Sequence, residues 1–150
     1  MSGRGRGFTL LELLVVLVIV GVAVSAAAWV RHDPARARLA EEARRLAALV
    51  ALARDEAVLR GTPLALELGP TGYRFLAWDG AAWTPIATGP LRPRRLPRPV
   101  KAAPEDGEGL PVVLDTTGDL PPFRAVLRAG ALEASVGLDE EGRLRLDAGS

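Results

Sequence analysis

The chain of 150 residues has no cysteine, a single histidine and a single lysine. Without cysteine there can be no disulfide, no cysteine-ligated zinc and no thiol catalysis. An extracytoplasmic location permits disulfides but does not require them. The histidine, His32, lies at the border of an apolar stretch, where an interfacial residue is the simpler reading than a catalyst. No glycine-rich phosphate loop and no G-x-S-x-G elbow occurs. Charges of the two signs nearly cancel, at 19 basic against 18 acidic residues. The net charge is +1, with residues 1–32 at +2 and residues 33–150 at −1, so any anion binding has to come from a local patch. Asp115 and Asp119 flank Thr116-Thr117-Gly118, but the dense oxygen spacing of a calcium loop is missing, and Asp with Gly in a turn accounts for them. No catalytic residue, cofactor or metal site is expected, and the chain does not read as an enzyme.

What is present is unevenly spread. Hydrophobic residues make up 49% of the chain, and from Phe8 to Val30 only Thr9, Glu12 and Ser25 are polar. As a helix, that stretch is roughly 34 Å long at ~1.5 Å per residue, enough to cross a bilayer core. Arg4 and Arg6 before it favour a cytoplasmic start. A secretory signal peptide is one alternative, with Ser25-Ala26-Ala27-Ala28 as a cleavage site, but the apolar stretch exceeds the ~7–15 residues of a signal core. A plain signal anchor is another. Neither accounts for Glu12, since a carboxylate in a spanning helix costs on the order of 2.5–3.5 kcal/mol at the bilayer centre, and less near the interface. Thr9-Leu10-Leu11-Glu12 also fits a capping box at a helix start.

Gly7-Phe8-Thr9-Leu10-Leu11-Glu12-Leu13, followed by the apolar run, resembles the prepilin processing motif of type IV pilins and type II secretion pseudopilins at every position. The resemblance implies cleavage between Gly7 and Phe8 by a prepilin peptidase and N-methylation of Phe8. It also implies an assembly role for Glu12, whose carboxylate would pair with the N-terminal amine of a neighbouring subunit. Glu12 lies four residues after Phe8, on the same helix face.

Beyond the apolar stretch, Asp33-Pro34 predicts a kink or short break, with Asp33 as N-cap and Pro34 in the first turn of a new helical stretch. Leu39, Ala43, Leu46, Val50, Ala53 and Ala57 then form one apolar stripe, opposite Arg38, Glu41, Glu42, Arg45 and Asp55. The stripe is expected to pack on the protein's own sheet, and Gly61 to stop the helix. Strands are expected at Pro63–Leu68, Tyr73–Trp78, Ala82–Ile86, Leu96–Val100, Val112–Asp115, Phe123–Ala129, Leu132–Leu138 and Leu144–Leu146. A loop is expected at Pro104–Pro111, with turns at Gly69-Pro70-Thr71-Gly72, Asp79-Gly80, Gly118, Gly130 and Gly142.

Ala53-Arg54-Asp55-Glu56-Ala57-Val58 with Gly61 and a strand, Leu114-Asp115-Thr116-Thr117-Gly118, and Gly142-Arg143-Leu144-Arg145 resemble the GspH/FimT family of minor pilins and pseudopilins. The expected fold is therefore α+β and type IV pilin-like, a long N-terminal transmembrane helix packed on antiparallel β-sheets. Its divisions are a leader at 1–7, a transmembrane part at 8–32, an amphipathic part at 33–60 and an extracytoplasmic β domain at 61–150. The resemblance implies a single-pass inner-membrane protein with its C-terminal domain in the periplasm, later part of a filament. Its partners would be the prepilin peptidase, other pilin or pseudopilin subunits and the membrane. The principal reading is a GspH-like subunit of a type II secretion pseudopilus or a type IV pilus.

The alternative is a FimT-like minor pilin that binds DNA for natural transformation. Arg92, Arg94, Arg95, Arg98 and Lys101 fall within ten residues, with no acid from Gly80 to Pro104. Gly142-Arg143-Leu144-Arg145 is similar to the C-terminal G-R-x-R of FimT-like pilins linked to DNA binding. In a strand, Arg143 and Arg145 would share a face and could grip neighbouring phosphates. A third possibility is a membrane-anchored β domain with no filament role.

Overall fold

The computed structural model describes residues 9–28, 33–105, 111–139 and 141–148, with the side chains of 23–28 and 148 left out. The chain divides into two compact units, residues 1–33 and 34–150. The first holds helix α1 (Leu10–Ala28), whose described side chains, Leu10 to Val22, are all exposed.

The second unit begins where proline permits. Pro34 opens helix α2 (Pro34–Arg60), at the one helical turn where a missing N–H costs nothing. All six residues of the expected stripe are buried, from Leu39 at 3% exposure to Ala57 at 0%. Gly61, at φ 59°, ends the helix. Its N–H donates to the Val58 carbonyl at 3.3 Å, and that of Thr62 to the Ala57 carbonyl at 3.2 Å. This is the paired closure that a left-handed glycine allows after a helix.

Among the described residues, nine strands follow in two antiparallel sheets. The first runs β3 (Trp83–Pro85), β2 (Gly72–Trp78), β1 (Leu64–Gly69), β6 (Val112–Leu114), with β4 (Arg94–Arg95) also pairing with β2. The second runs β5 (Lys101–Pro104), β7 (Arg124–Ala129), β8 (Leu132–Leu138), β9 (Leu144–Ala148). Helix α2 contacts strands of both sheets. Its stripe meets Leu66, Phe75 and Leu114 of the first sheet and Leu127 and Val136 of the second in one continuous core. The small Ala43, Ala53 and Ala57 let the helix lie close to the strands. On the outer faces, cross-strand pairs carry charge: Arg74 grips Glu67 through two bonds at 2.9 Å, and Arg128 meets Glu133 at 2.8 Å.

The architecture is the expected α+β fold with antiparallel sheets, and seven of the expected strands are present within about two residues at each end. The eighth, Leu96–Val100, is not a strand. The ladder residues are instead Arg94–Arg95 before it and Lys101–Pro104 after it. Pro97 and Pro99 have no N–H to give to a ladder, so 96–100 forms a turn, tied by Leu96 N–H to the Thr71 carbonyl at 2.9 Å and Val100 N–H to the Pro97 carbonyl at 2.8 Å. The loop expected at Pro104–Pro111 starts one residue later than Pro104, which closes β5; residues 106–110 lie outside the described residues.

Gly72 allows β4 to approach. A Cβ there would lie 2.3 Å from the Arg94 carbonyl oxygen, a distance at which backbone must move. The strand pair therefore depends on the absence of a side chain at this position.

Candidate functional site

The N-terminal segment carries the first candidate site. Thr9 caps α1: the Glu12 N–H donates to Thr9 Oγ1 at 3.3 Å and to the Thr9 carbonyl at 3.0 Å. This is one half of the capping box. The other half would use the Glu12 carboxylate, which accepts no bond among the described residues and sits on an exposed stretch. Gly7 and Phe8, and with them the cleavage and methylation positions, lie outside the described residues, as does His32. Among the described residues no helix is long and apolar enough to cross a membrane. The side chains described in α1 end at Val22, and the expected span Phe8–Val30 runs past them in both directions.

The cations singled out in the sequence are separated by the fold into three groups. Arg94, on β4, donates from Nε and Nη2 to the Glu42 carboxylate on α2 at 3.1 and 2.8 Å. Arg45 adds a third contact to Glu42 at 3.2 Å. Glu42 is 4% exposed, although the sequence places it on the polar face of α2. A buried carboxylate requires such partners, because desolvating it alone is far costlier than any surface ion pair is worth. Tyr73 lies beside this cluster at 3% exposure, with a hydroxyl that has no hydrogen-bond partner among the described residues. Burial, and then the nearby Glu42 charge, push its phenol up to about 12, so it stays neutral at physiological pH. Arg92 and Arg94 line a cleft of about 420 Å³ with Arg45, where Arg92 Nη1 donates to the Gly89 carbonyl at 3.1 Å.

Arg95, Arg98 and Lys101 form the second group, around a different cleft of about 490 Å³. All three are exposed, and none makes an ion pair among the described residues.

Arg143 and Arg145 form the third group. They do share a side of the chain, as alternation predicts, but both turn to one carboxylate. Their Nε atoms lie 3.3 and 2.9 Å from Asp139 Oδ2. Asp139 Oδ1 also accepts the N–H of Arg143 at 2.8 Å and of Glu141 at 3.1 Å. The Arg143 N–H first, and then the two guanidiniums, hold the Asp139 carboxyl well below the usual carboxylate range. The carboxylate that both guanidiniums meet is Asp139, which β8 delivers to the turn before β9.

The Asp115–Asp119 turn closes on itself. Thr117 Oγ1 donates to Asp115 at 2.6 Å and lies 3.1 Å from Asp119 Oδ2. The Arg54 Nε donates to the Gly118 carbonyl and ties this turn to α2. The Glu42–Arg94 contact was not visible in the sequence, since its partners lie 52 positions apart.

Comparison with known proteins adds to this geometry. Residues 42–147 match the family model described as type II transport protein GspH, and residues 3–28 match the prokaryotic N-terminal methylation motif. The type II secretion system protein H of Pseudomonas aeruginosa is 41% identical over 85 residues, 55% of this chain and 49% of that protein. Its namesake in Escherichia coli is 34% identical over 90 residues, 54% of this chain and 52% of that protein. The chain thus spans about half the length of these relatives. Among solved structures, the minor pseudopilin EpsH from the type 2 secretion system of Vibrio cholerae superposes with a TM-score of 0.64 at 20% identity, covering 74% of this chain and 97% of that one. The solution structure of E. coli GspH gives 0.63 at 20% identity, covering 81% and 95%. These structures share the α+β pilin-like fold.

Proposed function

Since the chain belongs to the family of the type II transport protein GspH, we propose that it is a minor pseudopilin, a structural subunit of a type II secretion pseudopilus or of a type IV pilus rather than an enzyme. The observation that carries this reading is the division of labour between the two units. Residues 34–150 enclose a complete core of their own, while α1 exposes every described side chain from Leu10 to Val22, with Glu12 as its one charge. An apolar helix with exposed side chains needs lipid or other helices around it.

On this reading, residues 1–7 are a leader and residues 8–32 hold the protein in the inner membrane, with 33–60 and 61–150 on the periplasmic side. A prepilin peptidase cuts between Gly7 and Phe8, and the new Phe8 amine is methylated. The methylation motif at residues 3–28 supports this. In the assembled filament, the Glu12 carboxylate meets the N-terminal amine of a neighbouring subunit. The capped backbone at Thr9 leaves that carboxylate available. Pairing removes an isolated charge from the apolar phase only when subunits stack in register, so burial drives assembly and charge sets its spacing.

The experiment is the intact mass of the protein extracted from membranes. A chain that begins at N-methyl-Phe8 is expected. A mature N-terminus near Ala28 would show an ordinary signal peptide and overturn the reading.

A further inference from the structure

The fold brings Arg95, Arg98 and Lys101 to a single concave site and, among the described residues, supplies no carboxylate there. Arg94 is spent on Glu42, and Arg143 and Arg145 on Asp139. The floor of the cleft is apolar, with contributions from Leu96, Pro99 and Val100. Leu96 and Val100 are buried beneath it, which anchors the turn. The frame is fixed on both sides, through Gly72 paired with Arg95 and Leu96 bonded to Thr71 before the turn, and through Lys101 paired with Arg128 after it. The three cations thus stand on a turn held by core side chains and main-chain bonds.

We propose that this cleft docks an acidic segment of a neighbouring filament subunit, its carboxylates on Arg95, Arg98 and Lys101 and an aliphatic side chain over Pro99. The proposal rests on the reading of the chain as a filament subunit and adds the chemistry of one contact. Charge complementarity argues for a peptide and against nucleic acid. A phosphate backbone needs a continuing track of free cations, and here the track stops, because Arg94 next to the cleft already holds Glu42 and Arg92 lies in a different cleft, on the Gly89 carbonyl. Residues 33–150 as a whole carry −1, so no wider field draws a polyanion in. Three cations around a short apolar floor suit a few carboxylates and one side chain. Such exposed ion pairs add little affinity singly, but they set register and exclude wrong partners.

The test uses the full chain in non-ionic detergent micelles, titrated at low ionic strength with a fluorescein-labelled peptide of glutamate and leucine. Binding is expected, and the joint variant Arg95→Glu, Arg98→Glu, Lys101→Glu is expected to weaken it by about tenfold or more. Arg124→Glu, on β7, is expected to leave it unchanged. Equal binding by the parent and the triple variant overturns the proposal. So does duplex DNA that displaces the labelled peptide at a lower concentration than unlabelled peptide does, or a parent chain that dimerises where the triple variant stays monomeric. In cells, the triple variant is expected to be processed at Gly7–Phe8 yet recovered less in filaments. Unchanged recovery counts against the cleft, whereas failed processing of the parent chain counts against the filament reading itself.

Discussion

Arg94 on β4 clasps Glu42 on α2 with two donors, at 2.8 and 3.1 Å. The two residues lie in the part of the chain where the helix meets the first sheet, and Gly72 lets β4 come close enough for the clasp to form. Breaking a buried pair from the accessible side leaves a charge without its partner, whereas replacing the buried member by an apolar residue does not.

The first prediction follows from that asymmetry. Arg94→Ala should cost about 2–3 kcal/mol, because Glu42 stays buried with Arg45 alone. Glu42→Leu should cost less, since Arg94 is about a third exposed and can turn to water. Urea unfolding of both variants checks the order. Equal losses would show that the pair behaves as a surface ion pair.

Residues 34–150 should fold without the N-terminal segment. Every residue of the main core lies within them, and the apolar helix is then gone. Circular dichroism is expected to show helix and strand with one cooperative melt. A disordered spectrum would mean that α1 is needed for the core.

Glu12→Ala should leave membrane insertion intact, since it removes a charge from the apolar segment. It should also leave the Thr9 cap in place, because the cap uses the main-chain N–H of residue 12. Recovery in sheared filaments or in co-purified subunit complexes is expected to fall severalfold. Undiminished recovery would reduce Glu12 to a residue of the helix start.

Arg143→Ala with Arg145→Ala should have no effect on DNA retention in a gel shift at low salt, because both guanidiniums are engaged by Asp139. The pH dependence of that engagement is fixed by sign. A carboxyl lowered in the folded state stabilises the turn fully above its unfolded value, ~4, and loses that contribution as pH falls through the lower folded value. At neutral pH the turn is therefore closed. A shift that disappears in the double variant would establish that DNA outcompetes Asp139.

Features that depend on local order were legible before any fold was known. A helical period placed all six residues of the Leu39–Ala57 stripe in the core, because spacing alone decides which side of a helix is apolar. Pro34 and Gly61 bounded that helix through their own backbone chemistry. The processing motif and the long apolar run were also legible, being contiguous. What the tertiary structure decided was the fate of each charge. Glu42 reads as a surface residue in a helical repeat and is buried only because β4 brings Arg94 to it from 52 positions away. Arg92, Arg94, Arg95, Arg98 and Lys101 form one basic run in sequence but two clefts in space, since the prolines at 97 and 99 turn what was expected to be a strand. Arg143 and Arg145 look free until the β8–β9 turn presents Asp139. Whether a cation is available to a partner depends on which carboxylates the fold brings within about 3 Å of it, and no local pattern records that.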